Sequence, residues 1–366
     1  MRILAIDPGS TSTKVGVWEK GGLMSCGREH SFEAMARPKG VLHQESMRFD
    51  AICGMLLEMG CKEKGFDAVV GRGGLLRPVP GGVYKVCDRM LHELAEEKRG
   101  SHASNLGAVL AWRFARKSGC PCFVADPVVV DELCQEARLS GLSGLHRKSI
   151  FHALNHKAVG RHVAREMGRC YGDLRLIVAH LGGGISVGAH RMGRVVDVNN
   201  ALNGDGPYSP ERAGSLPVSG VLELISAEGC SAGALKKHVA SRGGLCSYLE
   251  TVDLKRVEAR MEEGDARAGL AWRGMVYQIA KEIGSLSAAL DGEVDAIVLT
   301  GGMAHSRKLT SAVSKKVSFI AEVKVVAGEH ELQALCERGR QVLEGVEPVL
   351  DYGASAEKEA ADLKHL

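Results

Sequence analysis

Short apolar runs separated by glycine-rich and hydroxyl-rich turns alternate with longer stretches of helical periodicity along the chain. Arg2 to Ile6 is an apolar run with β-branched content, too short for a helix and suited to a buried strand. Asp7-Pro8-Gly9 stops it, Ser10 to Thr13 form a hydroxyl-rich turn, and Lys14 to Trp18 resumes strand character, so the segment reads as a hairpin. Helical periodicity covers Phe49 to Met59 and Cys87 to Glu97, and Ser101-His102-Ala103-Ser104-Asn105-Leu106-Gly107 opens a helix running to Lys117. Strands are predicted at Phe66 to Val70 and Pro121 to Ala125. Phe151 to Met167 reads as a helix, Leu174 to His180 as a strand, and a further strand runs through Val198 after a Gly-rich turn. Helices follow at Gly220 to Glu228, Ser231 to Ala240, Val252 to Glu263 and Asp265 to Leu290. Strands at Asp295 to Leu299 and Val323 to Ala327, then a helix from Glu331 to Leu343, complete the pattern. The charged, alanine-rich residues after Gly353 read as a peripheral helix or frayed tail.

One device occurs twice. The opening strand–turn–strand is repeated at Leu174 to Val198, where Leu181-Gly182-Gly183-Gly184-Ile185-Ser186-Val187-Gly188 follows an apolar strand. The two hairpins lie about half the chain apart, as two related lobes require. Three consecutive glycines let a backbone approach a polyphosphate with no Cβ in the way, and a turn of N–H groups and hydroxyls can cradle phosphate. A polar hairpin at a domain's edge would read the same if it stood alone. Neither turn is a P-loop, since no G-x-x-x-x-G-K-[ST] is present. Between Asp131 and Lys148 the chain turns polar and Gly/Ser-containing, which reads as the crossover between lobes.

Composition narrows the classes. A chain of 366 residues has room for two domains with their own cores, and 4% aromatic residues mean cores built from Ala, Val, Leu and Ile. A net charge of +3 with no Lys/Arg run supplies no electrostatic case for nucleic acid. The amino terminus enters a strand at once and no apolar run reaches membrane-spanning length, so neither signal peptide nor membrane partner is expected. Eleven scattered cysteines without a signal sequence favour reduced thiols in a cytoplasm. Cys120-Pro-Cys122 has no second pair to make a zinc site, and His152 and His156, four residues apart, lack an acidic partner within their motif.

Other candidates sit where α/β proteins hold ligands, at the carboxyl ends of strands. Arg72 stands between glycines in Gly71-Arg72-Gly73-Gly74, and Asp126-Pro127 ends another strand. Asn199 to Leu216 is a long loop with one arginine, Arg212, and long ordered loops are usually functional. Thr300-Gly301-Gly302-Met303-Ala304, a strand entering a Gly-Gly turn, suits an adenine and ribose.

Together these strings resemble the acetate and butyrate kinase family, in the superfamily of sugar kinases, actin and chaperone ATPases. The match spans roughly Ile3 to Leu343. I-D-P-G-S-T-S-T-K, V-V-G-R-G-G-L-L-R-P-V-P-G-G, H-A-S-N-L-G-A, H-L-G-G-G-I-S-V-G, N-G-D-G-P-Y-S-P-E-R-A-G-S-L-P, T-G-G-M-A and G-E-H-E-L-Q-A-L look like the family's butyrate-specific branch. The resemblance implies a two-lobed actin-like ATPase (ribonuclease H-like) α/β fold, with mixed sheets flanked by helices and an interlobe cleft. Residues 1–130 would form the N-terminal lobe, completed by a C-terminal helix over 331–356, with 131–150 the crossover and 151–330 the C-terminal lobe.

The implied reaction is reversible phosphoryl transfer from ATP to butanoate, with ATP/ADP and Mg²⁺ as cofactors, a small carboxylate as substrate and a homo-oligomer, dimer or higher, as the assembly. Residue by residue, Asp7, Gly9, Ser10, Thr11, Ser12, Thr13 and Lys14 would form the first phosphate loop. His180, Gly182, Gly183, Gly184 and Ser186 would form the second, and Gly301, Gly302 and Met303 the adenosine contact. Arg72 and Arg212 match the substrate and phosphoryl arginines, His102 and His156 further active-site histidines, and Asp126 a catalytic aspartate. Glu331 matches a Mg²⁺-associated glutamate, with Glu329 its neighbour. Asp7 departs from the family's usual asparagine; since an ionised carboxylate donates no hydrogen bond, it is expected to act through the metal or its waters. A related propionate or isobutyrate kinase, or a non-catalytic nucleotide-switched scaffold, are the competing expectations.

Overall fold

The computed structural model describes residues 1–31, 40–227 and 231–362. In chain order the first stretch holds β1 (Arg2–Pro8), β2 (Ser12–Glu19), β3 (Gly22–Glu29), α1 (Glu45–Glu58), β4 (Ala68–Arg72), β5 (Val83–Lys85), α2 (Asp88–Ala95), α3 (Asn105–Ser118) and β6 (Cys122–Ala125). The middle holds α4 (Gln135–Arg138), α5 (Ala153–Glu166), β7 (Arg175–Leu181), β8 (Ile185–Arg191), β9 (Arg194–Val198), α6 (Val218–Ser226), α7 (Ala232–Ser241), α8 (Gly244–Leu249), α9 (Leu254–Glu262), α10 (Ala266–Ala289), β10 (Ala296–Gly301), α11 (Arg307–Val317) and β11 (Val323–Ala327). The last stretch holds α12 (Glu331–Leu343), β12 (Val349–Leu350) and α13 (Tyr352–Asp362). The chain packs as two compact units, Met1–Asp131 with His330–Leu366, and Glu132–Glu329.

The first unit is a seven-stranded mixed sheet in the order β12-β5-β6-β4-β1-β2-β3. Ile3, Leu4, Ala5 and Ile6 are all fully buried because β1 lies mid-sheet, parallel to β4 and antiparallel to β2. Neighbouring strand residues point to opposite faces, so the side of Gly71 takes α3 and the side of Val70 takes α12. The contact with α3 is extreme: a Cβ on Gly71 would lie 2.2 Å from the Gly107 carbonyl oxygen, and one on Gly107 would lie 2.0 Å from that of Arg72.

The second unit is a five-stranded sheet in the order β11-β10-β7-β8-β9. One face, with Leu176, Val178, Ala296 and Val298, packs on Val159 and Val163 of α5. The other, with Ile177, Ala179, Ile185, Val187, Ile297 and Leu299, packs on Trp272, Met275, Ile279 and Ile283 of α10. Both units share one device: an antiparallel three-strand meander whose first strand pairs in parallel with the next strand of the sheet.

Several boundaries differ from the expectations. The strand expected through Val198 is two strands, β8 and β9, because Met192 and Gly193 both take positive φ (53° and 74°) in a tight hairpin turn. The same turn at Lys20-Gly21 creates β3, absent from the sequence reading. The helix expected over 331–356 is interrupted: α12 stops at Leu343 and β12 joins the sheet beside β5 before α13 begins. The helix expected from Phe151 starts at Ala153, with His152 at its N-cap position. α8 and β5 were not foreseen. Glu228, the expected end of α6, lies outside the described residues, as do the last four residues of the tail. Among the described residues no helix is long and apolar enough to cross a membrane.

Candidate active site

In the first unit Asp7 is at the end of β1, opposite Lys14 across the hairpin, and Arg72 ends the neighbouring strand. The Arg72 Nη1 atom lies 3.0 Å from Asp7 Oδ1, with the aspartate side chain 5% and the arginine 16% exposed. Of the glycines around Arg72, Gly71 and Gly74 are seats for α3, while Gly73 packs on Val124 and Pro127 at the end of β6. Gly74 packs on Asn105, whose Oδ1 accepts from the Leu75 N–H at 2.8 Å and whose Nδ2 donates to the Gly100 carbonyl at 3.0 Å. The strings containing Arg72 and Asn105-Leu106-Gly107 are therefore two sides of one contact, and it fixes the end of β4. His102 lies just before α3, where its Nδ1 accepts from the Ser104 N–H at 3.2 Å and lies 2.8 Å from Ser104 Oγ.

The first turn is held from behind by a residue the sequence reading did not name. Arg48 of α1 is fully buried and donates through Nη1 to the Ser12 carbonyl (2.7 Å) and Thr13 Oγ1 (2.9 Å), and through Nη2 to the Gly9 carbonyl (3.0 Å). Burial pushes its guanidinium pKa down to about 10. Of the four hydroxyls expected to face a ligand, that of Thr13 is withdrawn into this network and also meets His30 Nε2 at 2.7 Å. Ser10 and Thr11 are exposed and Ser12 is intermediate.

Asp126, with φ +38°, is buried at the end of β6. Its Oδ1 accepts from the Gly82 N–H at 2.9 Å and Oδ2 lies 3.6 Å from Arg338 Nε, so it ties the Pro78–Gly82 turn to α12. Glu331 is buried in the first turn of α12, beside Leu332, which packs on Gly16 of β2; Glu329 is exposed. Among the described residues no group of three or more His, Cys, Asp or Glu side chains is arranged to hold a metal.

In the second unit the Gly182–Ser186 turn is surrounded by the predicted residues. Arg212 lies directly on it: a Cβ on Gly184 would fall 1.9 Å from Arg212 Nη1. The loop carrying Arg212 is fastened to the turn, with Ser209 Oγ donating to the Gly183 carbonyl and Arg212 Nη1 to the Ala201 carbonyl. Asn199 extends the edge of β8, accepting from the Val187 N–H (2.7 Å) and donating to the Ile185 carbonyl (3.1 Å). Gly301, at φ +88°, approaches the Leu181 carbonyl so closely that a Cβ would lie 2.4 Å from it, which sets Gly302 and Met303 beside the same turn.

Three histidines converge here. Ser186 Oγ lies 2.8 Å from His156 Nε2 and 2.9 Å from His152 Nδ1. His152 stacks on His180 with ring centroids 3.8 Å apart, and His180 Nδ1 lies 3.0 Å from Asn155 Oδ1. Burial, with His180 nearby, holds the His156 pKa well below the usual histidine range, so it is a neutral hydrogen-bonding group. His152 entered the sequence reading only as half of an unlikely zinc pair. Its position immediately before a helix carrying a second histidine four residues on was the available signal.

Two α/β units built on one meander, each with a glycine turn between its first two strands, make the actin-like ATPase fold. Solved structures share it: the acetate kinase of Porphyromonas gingivalis (18% identity, TM-score 0.74, covering 93% of this chain and 99% of that one) and a propionate kinase from Francisella tularensis subsp. tularensis SCHU S4 (18%, 0.71, 92% and 98%). The acetate kinase of Entamoeba histolytica is similar at 17% identity and a TM-score of 0.72, covering 93% and 99%. The chain belongs to the acetokinase family, whose model matches residues 142–343. It is a phosphotransferase with a carboxyl group as acceptor, a kinase of short-chain carboxylates.

Proposed function

We propose that this kinase is a butyrate kinase, transferring the γ-phosphoryl group of ATP reversibly to the carboxylate of butanoate. The observation that carries the phosphoryl-transfer chemistry is the seat of Arg212 on Gly184, beside a turn lined by Ser186, His152, His156 and His180. The butyrate preference rests on the seven sequence strings that resemble that branch of the family.

A carboxylic acid has a pKa near that of Glu, about 4.3, so the nucleophile is an anion at neutral pH and needs no general base. The barrier is electrostatic, an anion approaching a phosphoryl group that is itself negative. Positioning and charge neutralisation by Arg72 and Arg212, with histidine donors, meet that demand. In this reading Gly9 to Ser12 with Lys14 and Gly182 to Ser186 are the phosphate loops, and Gly301 to Met303 meets the adenosine. His102 and Asp126 keep the active-site roles the resemblance implies. Asp126 does so through the turn and the Arg338 contact it holds.

A family of ATP-dependent carboxylate kinases implies a divalent cation, and the residues fit Mg²⁺. Asp7 and Glu331 are hard oxygen donors, both buried, and Mg²⁺ is commonly held by one or two carboxylates with waters and phosphates rather than by a full protein cage. When bound, the cation neutralises phosphate charge. A cytoplasmic homo-oligomer completes the proposal.

The test is trapping of acyl phosphate by hydroxylamine with Mg-ATP and acetate, propionate, butyrate, isobutyrate or glutamate. Best turnover with butyrate supports the assignment. Best turnover with propionate or isobutyrate replaces it by a related acyl kinase, and binding of ATP without any hydroxamate replaces it by a nucleotide-switched scaffold.

A further inference from the structure

β8 alternates Ile185, Val187 and Ala189, which enter the core over α10, with Ser186, Gly188 and His190 on the opposite face. That second stripe is polar, fully buried and covered by α5. Opposite it, His156 spans the stripe: Nε2 lies 2.8 Å from Ser186 Oγ and Nδ1 lies 3.2 Å from His190 Nε2. Gly188 makes the room, since a Cβ there would stand 3.3 Å from His156 Nδ1. His190 Nδ1 in turn lies 2.7 Å from the Tyr171 hydroxyl, and at the other end Ser186 Oγ reaches His152 Nδ1 at 2.9 Å. Five groups thus stand in one unbroken line. His190, His156 and Ser186 are fully buried, and the two ends, Tyr171 and His152, are partly exposed.

A neutral imidazole has one donor nitrogen and one acceptor, and a hydroxyl donates once. Each neutral imidazole of the line therefore passes its sense on, and Ser186, whose hydroxyl donates once and accepts twice, passes it to His152 when it donates there. Burial keeps His156 and His190 neutral, which preserves this property. Tyr171 selects the sense, because a phenol hydroxyl donates readily to an imidazole nitrogen. With Tyr171 donating to His190 Nδ1, His190 Nε2 donates to His156 Nδ1, His156 Nε2 to Ser186 Oγ, and Ser186 to His152 Nδ1. The proton of His152 then resides on Nε2.

We propose that Tyr171 and His190 are positioning residues that, through His156 and Ser186, fix His152 as the Nε2–H tautomer, so that it meets a phosphoryl oxygen with a donor and not with a lone pair. Only the last clause rests on the kinase assignment. Neither residue carries a string of the family resemblance, and neither contacts the glycine turn directly. An orienting partner of this kind acts by holding a histidine in the tautomer its chemistry requires.

The experiment uses the full-length protein with ¹⁵N-labelled histidine, reading the tautomers of His152, His156 and His190 by two-bond ¹H–¹⁵N correlation alongside hydroxamate kinetics. All three are expected as Nε2–H in the unaltered protein. Tyr171→Phe keeps the ring that packs on Gly160 and removes only the hydroxyl. It is expected to give mixed tautomers at His156 and His152 and to lower kcat about tenfold with KM for ATP within twofold, well short of the ~10⁴ cost of a fully wrong tautomer. His190→Gln, which can accept from Tyr171 and donate to His156, should retain more than half of the kcat, whereas His190→Leu should not. An Nδ1–H tautomer at His152 or His156 in the unaltered protein, or unchanged tautomers in Tyr171→Phe, overturns the proposal. Absence of hydroxamate with every acid defeats the kinase assignment alone, since the tautomers are read without turnover.

Discussion

Gly184→Ala separates the function of the second glycine turn from its contribution to the fold. Gly184 does not lie in the left-handed region, so the backbone accepts alanine. The new methyl group would fall 1.9 Å from Arg212 Nη1 and 2.6 Å from Cζ, where ordinary contact begins at 3.4 Å. The guanidinium must therefore retreat by about 1.5 Å, abandoning the Ala201 carbonyl. What moves is mainly the far end of a flexible side chain, with the Ala201 carbonyl at 3.2 Å giving by a few tenths of an ångström. The loss is one charge-assisted hydrogen bond, about 1.5–3 kcal/mol, offset by about 0.4–1 kcal/mol from the lower entropy of the unfolded alanine chain. Melting should fall by only a few degrees. Turnover should suffer far more, since a 1 Å misplacement of a reacting group costs about 10²-fold, approaching the ~10³–10⁵ of losing a phosphoryl arginine outright. Hydroxamate formation and thermal melting, run beside Gly220→Ala in open space on α6, report both quantities. A kcat within threefold of the unaltered protein would remove Arg212 from the reacting geometry. A collapse in melting equal to the loss of turnover would make the contact structural.

Two further outcomes follow from carboxylates, Glu282 half-buried and Asp7 buried. Burial and the neighbouring Asp205 push the Glu282 pKa from 4.5 up to about 7, against the opposing charge of Arg147, with Asp197 and Lys281 also nearby. The folded state then binds the proton more tightly: stability is full below pH 4.5, falls between 4.5 and about 7 by at most about 3 kcal/mol, and is flat above, so Glu282→Gln should flatten that part of a melting-versus-pH curve; an unchanged slope refutes it. Asp7→Asn keeps an oxygen for Arg72 but removes the charge, and the Mg²⁺ concentration for half-maximal hydroxamate formation should rise severalfold; an unmoved midpoint would confine Asp7 to holding Arg72.

Long apolar and periodic segments were legible from sequence because their signal is local. β11 and α12 begin and end where the pattern of Val323 to Leu343 placed them. The hairpins at Lys20-Gly21 and Met192-Gly193 were not, because their first turn residue adopts positive φ without being Gly, Asn or Asp. Arg48 left no local trace either: its partners Gly9, Ser12 and Thr13 lie more than thirty residues away, and nothing in helix periodicity distinguishes a buried clamp from a surface arginine. Tyr171 and His190 are hidden for the same reason, their link being made across a strand and a helix.

The glycine strings illustrate how a motif read for one physical duty can also serve another. Their sequence suggests backbone exposed to phosphate, yet several of these glycines are filled from the other side by protein. Gly71 and Gly107 close on each other's backbones and so set the end of the strand that carries Arg72, while Gly184 leaves the space that the Arg212 guanidinium occupies. In each unit an arginine is thus placed with the help of a glycine on an element other than its own strand or loop, Gly107 for Arg72 and Gly184 for Arg212. Alanine at Gly107 would press at 2.0 Å on the Arg72 carbonyl, which is backbone and cannot swing away, whereas alanine at Gly184 displaces mainly a side-chain tip and only brushes the Ala201 carbonyl at 3.2 Å. The same substitution should therefore cost stability in the first unit and turnover in the second. That asymmetry follows from what each missing Cβ would strike, and no count of glycines in the sequence contains it.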